Sequence, residues 1–312
     1  MGMRAVRTII CAALSAVLSL SLSAQSRFDG EEIALTKQGA YYSFVANING
    51  VAETPVLLES GILAMLVDSA FVFSSGILSD LEFTPTGGKS KMNLGGHVYV
   101  ITHKASGTVR IGEQISYRGE VFVLSGYAKN HKAAIPVQYL HNENDGSRIV
   151  RLDLGNNVLQ VITRASLRQR GRGYSKVKMN TETYLGMPAV ETSVAIGYVS
   201  RVKKLKGNFN IDFGNPELLF LMHQHKDVQQ FFAENSDIQL RQARNPQGDV
   251  VAQFMIADEC RICGAEFPNA VIAITDKLPR FTTTGNVGLK FFRSVETIFD
   301  FDKNMMYTTV IR

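Results

Sequence analysis

Asn210-Ile211-Asp212-Phe213-Gly214 decides how this chain reads, because Leu57-Leu58-Glu59-Ser60-Gly61 stands at the matching place in an earlier copy of the same pattern. Each stretch closes a strand-like run with an acid followed two residues later by glycine. Each then leads into a second apolar run, Ile62 to Val67 in one copy and Leu218 to Met222 in the other. The correspondence continues outward. Val109-Arg110-Ile111-Gly112 matches Cys260-Arg261-Ile262-Cys263, and both precede apolar strands, Val121 to Leu124 and Val271 to Ile274. Leu152-Asp153-Leu154-Gly155-Asn156-Asn157 matches Phe299-Asp300-Phe301-Asp302-Lys303-Asn304, with an apolar strand after each turn. A unit of roughly 130 residues is too long for a solenoid repeat, whose period is about 20–50. Two similar lobes, each supplying one carboxylate to a shared cleft, are expected.

The bulk numbers agree with a folded chain of this kind. The 312 residues allow a sizeable core, and 45% hydrophobic with 20% charged residues excludes a disordered protein. Residues 1–24 read as a secretion signal: Arg4 and Arg7, an apolar run from Ile9 to Leu22, then small residues up to Ala24. The run is short for a bilayer span and no later one is long enough, so the mature chain is expected to lack an integral membrane span and to be periplasmic or secreted. Cys11 lies inside the apolar run and offers no lipid anchor. Without Arg4 and Arg7 the net charge falls from +5 to +3, too little to point to nucleic acid.

β-signals dominate the rest. Tyr41 to Ile48 alternates, Asn49-Gly50 supplies a hairpin turn, and Val51 to Leu58 returns. The second copy has Val190 to Val199, a basic turn region Arg201 to Lys206, then Gly207 to Ile211. Further strands are expected at 97–103, 107–111, 121–124, 150–154, 158–162, 250–256, 271–274, 296–300 and 306–311. Helical pieces are expected at 65–73, 137–141, 225–234 and 289–292. The division is an N-terminal lobe over 25–163, a basic linker over 164–180 and a C-terminal lobe over 181–312. Within that linker, Arg164 to Lys178 is basic and poor in apolar residues, which suits an exposed linker or crossing strand; a patch for an anionic surface is the sharper alternative.

In pattern the chain resembles the aspartic peptidases of the pepsin and retropepsin type over about residues 38–312. The second copy carries the resemblance best: Gly207 to Gly214 as the acidic loop, Gly285-Asn286-Val287-Gly288 as the crossing strand, and Thr297 to Phe301 as the closing strand. The first copy matches at Asn49-Gly50, at Leu57 to Gly61 and at Ala134-Ile135-Pro136-Val137. The resemblance implies an all-β protein of two barrel-like lobes around a central cleft, with Asp212 and Glu59 as the catalytic pair. Two such carboxylates share one proton, the ionised one activating water and the protonated one donating to the substrate carbonyl. Ser60, Gly61, Phe213, Gly214, Val287 and Gly288 would support the loops, and Tyr99 is a flap candidate. No cofactor is implied, and the expected partner is a peptide or unfolded polypeptide segment.

The departures from that pattern bear on activity. Glu59 replaces an aspartate and adds one methylene, while 1 Å of misplacement can cost on the order of a hundredfold in rate. Phe213 replaces the hydroxyl residue of the second loop, so half of the cross-loop hydrogen bonding is lost and a ring is expected to crowd the cleft floor. The reading is therefore an exported, catalytically impaired homologue that binds extended peptide. An active aspartyl endopeptidase using Asp212 with Glu59, and a noncatalytic envelope interaction module, are the alternatives. Asp-Phe-Gly also occurs in protein kinases, but no glycine-rich phosphate loop or catalytic-loop motif accompanies it. Cys260 and Cys263 are half a zinc knuckle without a second pair, and a local disulfide or free thiols are expected instead. His223 and His225, two apart, would face different ways on a helix, so no metal site is expected.

Overall fold

The computed structural model describes residues 28–311 apart from 40, 95–96, 128–130, 182, 184–185, 200 and 276–282. The signal segment 1–24 lies outside the described residues. Two sheets build the molecule. A nine-stranded sheet forms the first lobe, and a thirteen-stranded sheet forms the second lobe and a base shared by both.

The duplication seen in the sequence is a duplication of strand order. In the first lobe the hairpin Tyr41–Ile48/Val51–Glu59 is followed across the sheet by Ala133–Pro136, Met65–Asp68, Ile115–Leu124, His97–Arg110 and Thr84–Leu94. In the second lobe Ala189–Tyr198/Arg201–Ile211 is followed by Gly285–Val287, Leu219–Met222, Ala265–Thr275, Val250–Ile262 and Arg241–Arg244. Pairing directions match as well. The acid-bearing strand runs parallel to the crossing strand in both lobes, and the crossing strand runs antiparallel to the strand after the acidic loop.

Local chemistry sets these elements. Tyr41–Ile48 buries mainly alternate residues, and its hairpin turns on Asn49 (φ 49°) and Gly50 (φ 79°), the pair that tolerates two left-handed positions. The helix expected over 65–73 is instead a fully buried strand, Met65–Asp68, followed by a helix, Ser69–Ser75. A short apolar run carries no period that separates strand from helix. The Asp68 carboxylate caps that helix by accepting from the Phe71 N–H at 3.1 Å. The helix expected over 137–141 is a single 3₁₀ turn, Val137–Tyr139, and then strand Leu140–Asn142. Arg201 to Lys206, expected as a turn, belongs to strand Arg201–Ile211, and its basic side chains point mostly outward while Leu205 points into the core.

The base is a six-stranded arrangement with its own pseudo-twofold symmetry. Ile149–Asp153 pairs antiparallel with Val295–Asp300 at the centre. Each is followed outward by its hairpin partner, Val158–Val161 or Met305–Val310, and then by Glu32–Ala34 or Ser175–Asn180. The turns of the two hairpins are built alike. Asp153 accepts from the Asn156 N–H at 3.0 Å and Asp300 from the Lys303 N–H at 3.1 Å, with Asn157 and Asn304 both left-handed. The segment read as a basic linker is thus helix Arg164–Arg170 followed by strand Ser175–Asn180, which occupies in one half of the base the place that Glu32–Ala34 holds in the other.

Charge pairs join the halves across this base. Arg164 binds the fully buried Asp300 and reaches Asp302 at 2.7 Å, Arg148 meets Asp302 at 3.0 Å, and Arg151 bridges Asp153 and Glu296. A carboxylate as buried as Asp300 is tolerable only with such a partner, and removing one member of a buried pair costs about 3–5 kcal/mol.

Candidate active site

Glu59 ends the first acid-bearing strand and Asp212 follows the second, and the pseudo-twofold arrangement turns both toward the boundary between the lobes. A Cβ placed on Gly214 would lie 3.2 Å from Asp212 Oδ1 and 4.0 Å from Glu59 Oε2, so the two carboxylate oxygens lie no farther apart than the sum of these distances. Both side chains are half-buried, with solvent on one side and enough protein on the others to penalise a charge.

One hydroxyl ties the two loops together. Ser60 Oγ is fully buried, donates to the Ile211 carbonyl at 2.9 Å and accepts from the Phe213 N–H at 3.0 Å. The reciprocal link from the second loop cannot form because its residue is Phe213. That ring does not crowd the cleft floor, as the sequence suggested. It is buried in the second-lobe core at 5.2 Å from the Phe292 ring and 6.1 Å from Phe299. Its apolar character decides this outcome: a ring gains more from an aromatic cluster than from a wet floor.

Asp212 is held by several donors. Its Oδ1 accepts from the Gly214 N–H at 3.0 Å and its Oδ2 from Asn286 Nδ2 at 2.7 Å, while its own N–H donates to the Val287 carbonyl at 3.0 Å. Asn286 in turn accepts from Asn210 Nδ2 at 3.1 Å, and Asn210 also donates to Thr283. Gly288 must be glycine for lack of space: a Cβ would come within 2.3 Å of the Glu217 carbonyl oxygen and 2.5 Å of that of Asn215. Gly61 is less constrained, its nearest neighbour being the Met187 methyl at 3.3 Å. In the first lobe Pro136 stands opposite Glu59 in the parallel register where the second lobe leads to Gly288.

Burial pushes the Glu59 carboxyl up to about 7, with the facing Asp212 charge as the second cause and the Ser60 N–H opposing them. Asp212 is also raised by burial, against the hydrogen bonds from Asn286, Gly214 and Asn215. These donors favour charge on Asp212, so below about pH 7 the proton of the pair resides on Glu59.

Tyr99, the flap candidate, lies on strand His97–Arg110, paired with Met92 of Thr84–Leu94. Its ring meets Tyr127 edge-on at 5.6 Å, within an apolar cluster that includes Ile62, Leu66, Ile101 and Phe122. Tyr127 is near enough to Glu59 for that charge, after burial, to raise the phenol further. Sequence reasoning missed Tyr127 and Asn286. Asn286 was detectable, as a polar residue inside an otherwise apolar crossing strand; Tyr127 follows a turn and carried no signal.

The two thiols form no disulfide. Cys260 faces the core from strand Val250–Ile262 and burial lifts it to about 12. Cys263 sits in the following turn at φ 49°, lifted to about 11 by burial, with hydrogen bonding to the Thr192 side chain opposing that shift. His225 caps helix Lys226–Glu234, accepting from the Asp227 N–H at 3.3 Å, and His223 packs near Phe232. No cluster of three metal-ligating side chains occurs among the described residues. No described helix is long and apolar enough to cross a membrane.

Two duplicated β-lobes on a common base, each presenting an acidic loop beside a crossing strand, are the pepsin-like aspartic-peptidase fold. Among solved structures the chain is similar to an aspartic proteinase from Irpex lacteus, at 11% identity and a TM-score of 0.54, over 90% of this chain and 97% of that one. It is also similar to basic 7S globulin from soybean, at 9% identity and a TM-score of 0.53, over 91% and 95% respectively. No family model and no curated relative matches the sequence.

The latch and the proton each make a measurable claim. Ser60→Ala leaves the buried Phe213 N–H unpaired and should lower urea-unfolding stability by about 1–3 kcal/mol. A change below about 0.5 kcal/mol would remove the latch from the account. Between pH 4.5, the ordinary value for Glu59, and about 7, the folded chain holds a proton that the unfolded chain releases. Stability should therefore fall as pH rises through this window, by about 3 kcal/mol at most, and level off above it. Glu59→Gln should flatten that part of the unfolding profile; an unchanged slope would place the proton elsewhere.

Proposed function

We propose that this protein is exported and holds an extended polypeptide segment between its lobes, with hydrolysis slow at most. The observation that carries the reading is the asymmetry of the floor. One loop bears the longer acid, Glu59, and the only hydroxyl latch, Ser60. The other bears Asp212 and turns Phe213 into the core. A pair built for hydrolysis must hold its carboxylates to about 0.5 Å, and an added methylene on one side of a twofold arrangement works against that. Strand-rich flap hairpins on both lobes offer backbone donors and acceptors for strand addition, which gives affinity with little sequence preference. Export rests on residues 1–24, whose charge and apolar run suit a cleaved signal.

A second reading, an active endopeptidase, draws support from the ordered proton. Glu59 protonated beside a charged Asp212 is the division of roles that acid–base hydrolysis requires. On that reading activity would extend toward neutral pH, because the proton stays on Glu59 up to about 7.

The exported protein, its N-terminus near residue 25, would be assayed with fluorescently labelled casein from pH 3 to 7. Saturable binding with barely detectable turnover is expected, retained in Asp212→Asn. Glu59→Asp should raise turnover about tenfold or more by shortening the reach. Phe213→Thr is unsuited to the same purpose, since emptying an aromatic site in the core costs about 3–5 kcal/mol. Robust wild-type turnover abolished by Asp212→Asn would establish the active peptidase. Absence of both binding and turnover would favour an interaction module.

A further inference from the structure

Residues 164–178 carry six basic side chains and no acidic one. Folding gathers part of this charge around a cavity of about 220 Å³, lined by Arg164, Arg168, Arg172, Lys176, Lys303 and Tyr307, with the buried Asp300 beneath Arg164 as its one acid. These come from four places: helix Arg164–Arg170 with the loop after it, strand Ser175–Asn180, the turn between Val295–Asp300 and Met305–Val310, and strand Met305–Val310 itself. Basic residues in the last turn of a helix are ordinary, because they oppose its dipole, and that accounts for Arg168 and Arg170. It does not account for Arg172, Lys176 and Lys303, which lie outside the helix.

The local acids do not neutralise the cluster. Asp300 and Asp302 are engaged by Arg164, with Arg148 also on Asp302. Arg168, Arg172, Lys176 and Lys303 have no ion-pair partner among the described residues, although Lys176 lies over the Tyr307 ring at 5.7 Å. Four uncompensated cations around one cavity repel each other, and an anion bound there relieves that repulsion. The cavity is separate from the acidic loops. Leu167 beside it packs with Ile149 and Ile298 on one face of the base sheet, whereas Val150 and Phe299, next in sequence, join the core that contains Phe213. Adjacent strand residues face opposite sides, so the basic cavity opens on the face away from Asp212.

We infer that this cavity binds a phosphomonoester group. Guanidinium forks match tetrahedral oxyanions, and two arginines with two lysines suit a dianion. The volume exceeds that of one phosphate and leaves room for part of the group it esterifies, over the Leu167 side chain. A nucleic-acid strand fits less well: the charges line one cavity instead of following a groove, and the ring at hand is already covered by Lys176.

The test uses the exported protein, with inorganic phosphate in calorimetry and sedimentation with phosphatidylcholine vesicles containing or lacking phosphatidic acid. Saturable 1:1 binding of phosphate is expected, weakened about tenfold or more by Arg168→Gln with Lys303→Gln, and by Arg172→Gln alone to a smaller extent. Lys204→Gln with Lys206→Gln, in another strand, should leave it unchanged, as should Asp212→Asn. Melting curves check that each variant folds. Vesicle binding that needs phosphatidic acid and the same residues would identify a lipid headgroup as the source; phosphate binding without it would identify a soluble phosphomonoester. Absence of saturable phosphate binding, equal loss in both lysine-containing double variants, or preferential binding of a single-stranded oligonucleotide through these residues would overturn the inference. None of these outcomes depends on whether the cleft binds or cleaves peptide.

Discussion

The buried hydroxyl of Ser60 is the contact on which the arrangement of the floor depends. It reaches from one lobe into the backbone of the other, satisfying a carbonyl and an N–H that would otherwise be orphaned in a dry interface. Because it grips main chain on both sides of Asp212, at Ile211 and Phe213, it fixes the second acid's backbone relative to the first. Packing around the loops follows from that registration. Met187 lies on Gly61, and Gly186, at φ 61°, closes against Leu63. A hydroxyl that both donates and accepts can bridge two chains this closely; methyl or amide groups of similar size cannot perform both roles through one atom.

The two lobes share a plan but meet its demands with different residues. The second lobe satisfies the crossing under its acidic loop with Gly288, packed against two carbonyls, and with Asn286, which links Asp212 to Asn210 and Thr283. The first has Pro136 and Val137 there, and Gln138 donates to the Ile62 carbonyl at 3.0 Å. The second acid therefore sits in a polar network and the first among apolar and aromatic neighbours, including Tyr127. This difference in surroundings, more than the difference between aspartate and glutamate, separates the two carboxyls in their hold on a proton.

Much of the fold was legible because it was written twice. A hairpin turn such as Asn49-Gly50 signals locally, and the acidic loops, closing turns and apolar runs recur in one order, so each copy supports the reading of the other. The failures have local causes. Met65 to Phe73 was misread as one helix because four fully buried strand residues have no polar face to show a period of two. Arg201 to Lys206 looked like a turn because a two-stranded arm with a solvated face can carry charge on most positions. Ser175–Asn180 was hidden because its role comes from pairing with Met305–Val310, far away in sequence. At the site, Glu59 and Asp212 were visible as matched acids. The inward rotation of Phe213 was not, since the aromatic cluster that receives it is assembled from the distant Phe292 and Phe299. Of the two states expected for Cys260 and Cys263, a local disulfide or free thiols, the structure has the free thiols.

The thirteen-stranded sheet carries a mechanical consequence. Met179 and Asn180 pair with Val190 and Ala189, so the base and the second lobe are one continuous hydrogen-bonded body. The nine strands of the first lobe form a separate sheet, joined to that body by the chain near Leu35, by the turn over residues 143–148, and by side-chain contacts such as Ser60. Sequence symmetry divides the molecule into halves, but strand pairing divides it into a larger and a smaller sheet. Any opening of the cleft would displace the smaller sheet, with Glu59, against a frame that carries Asp212.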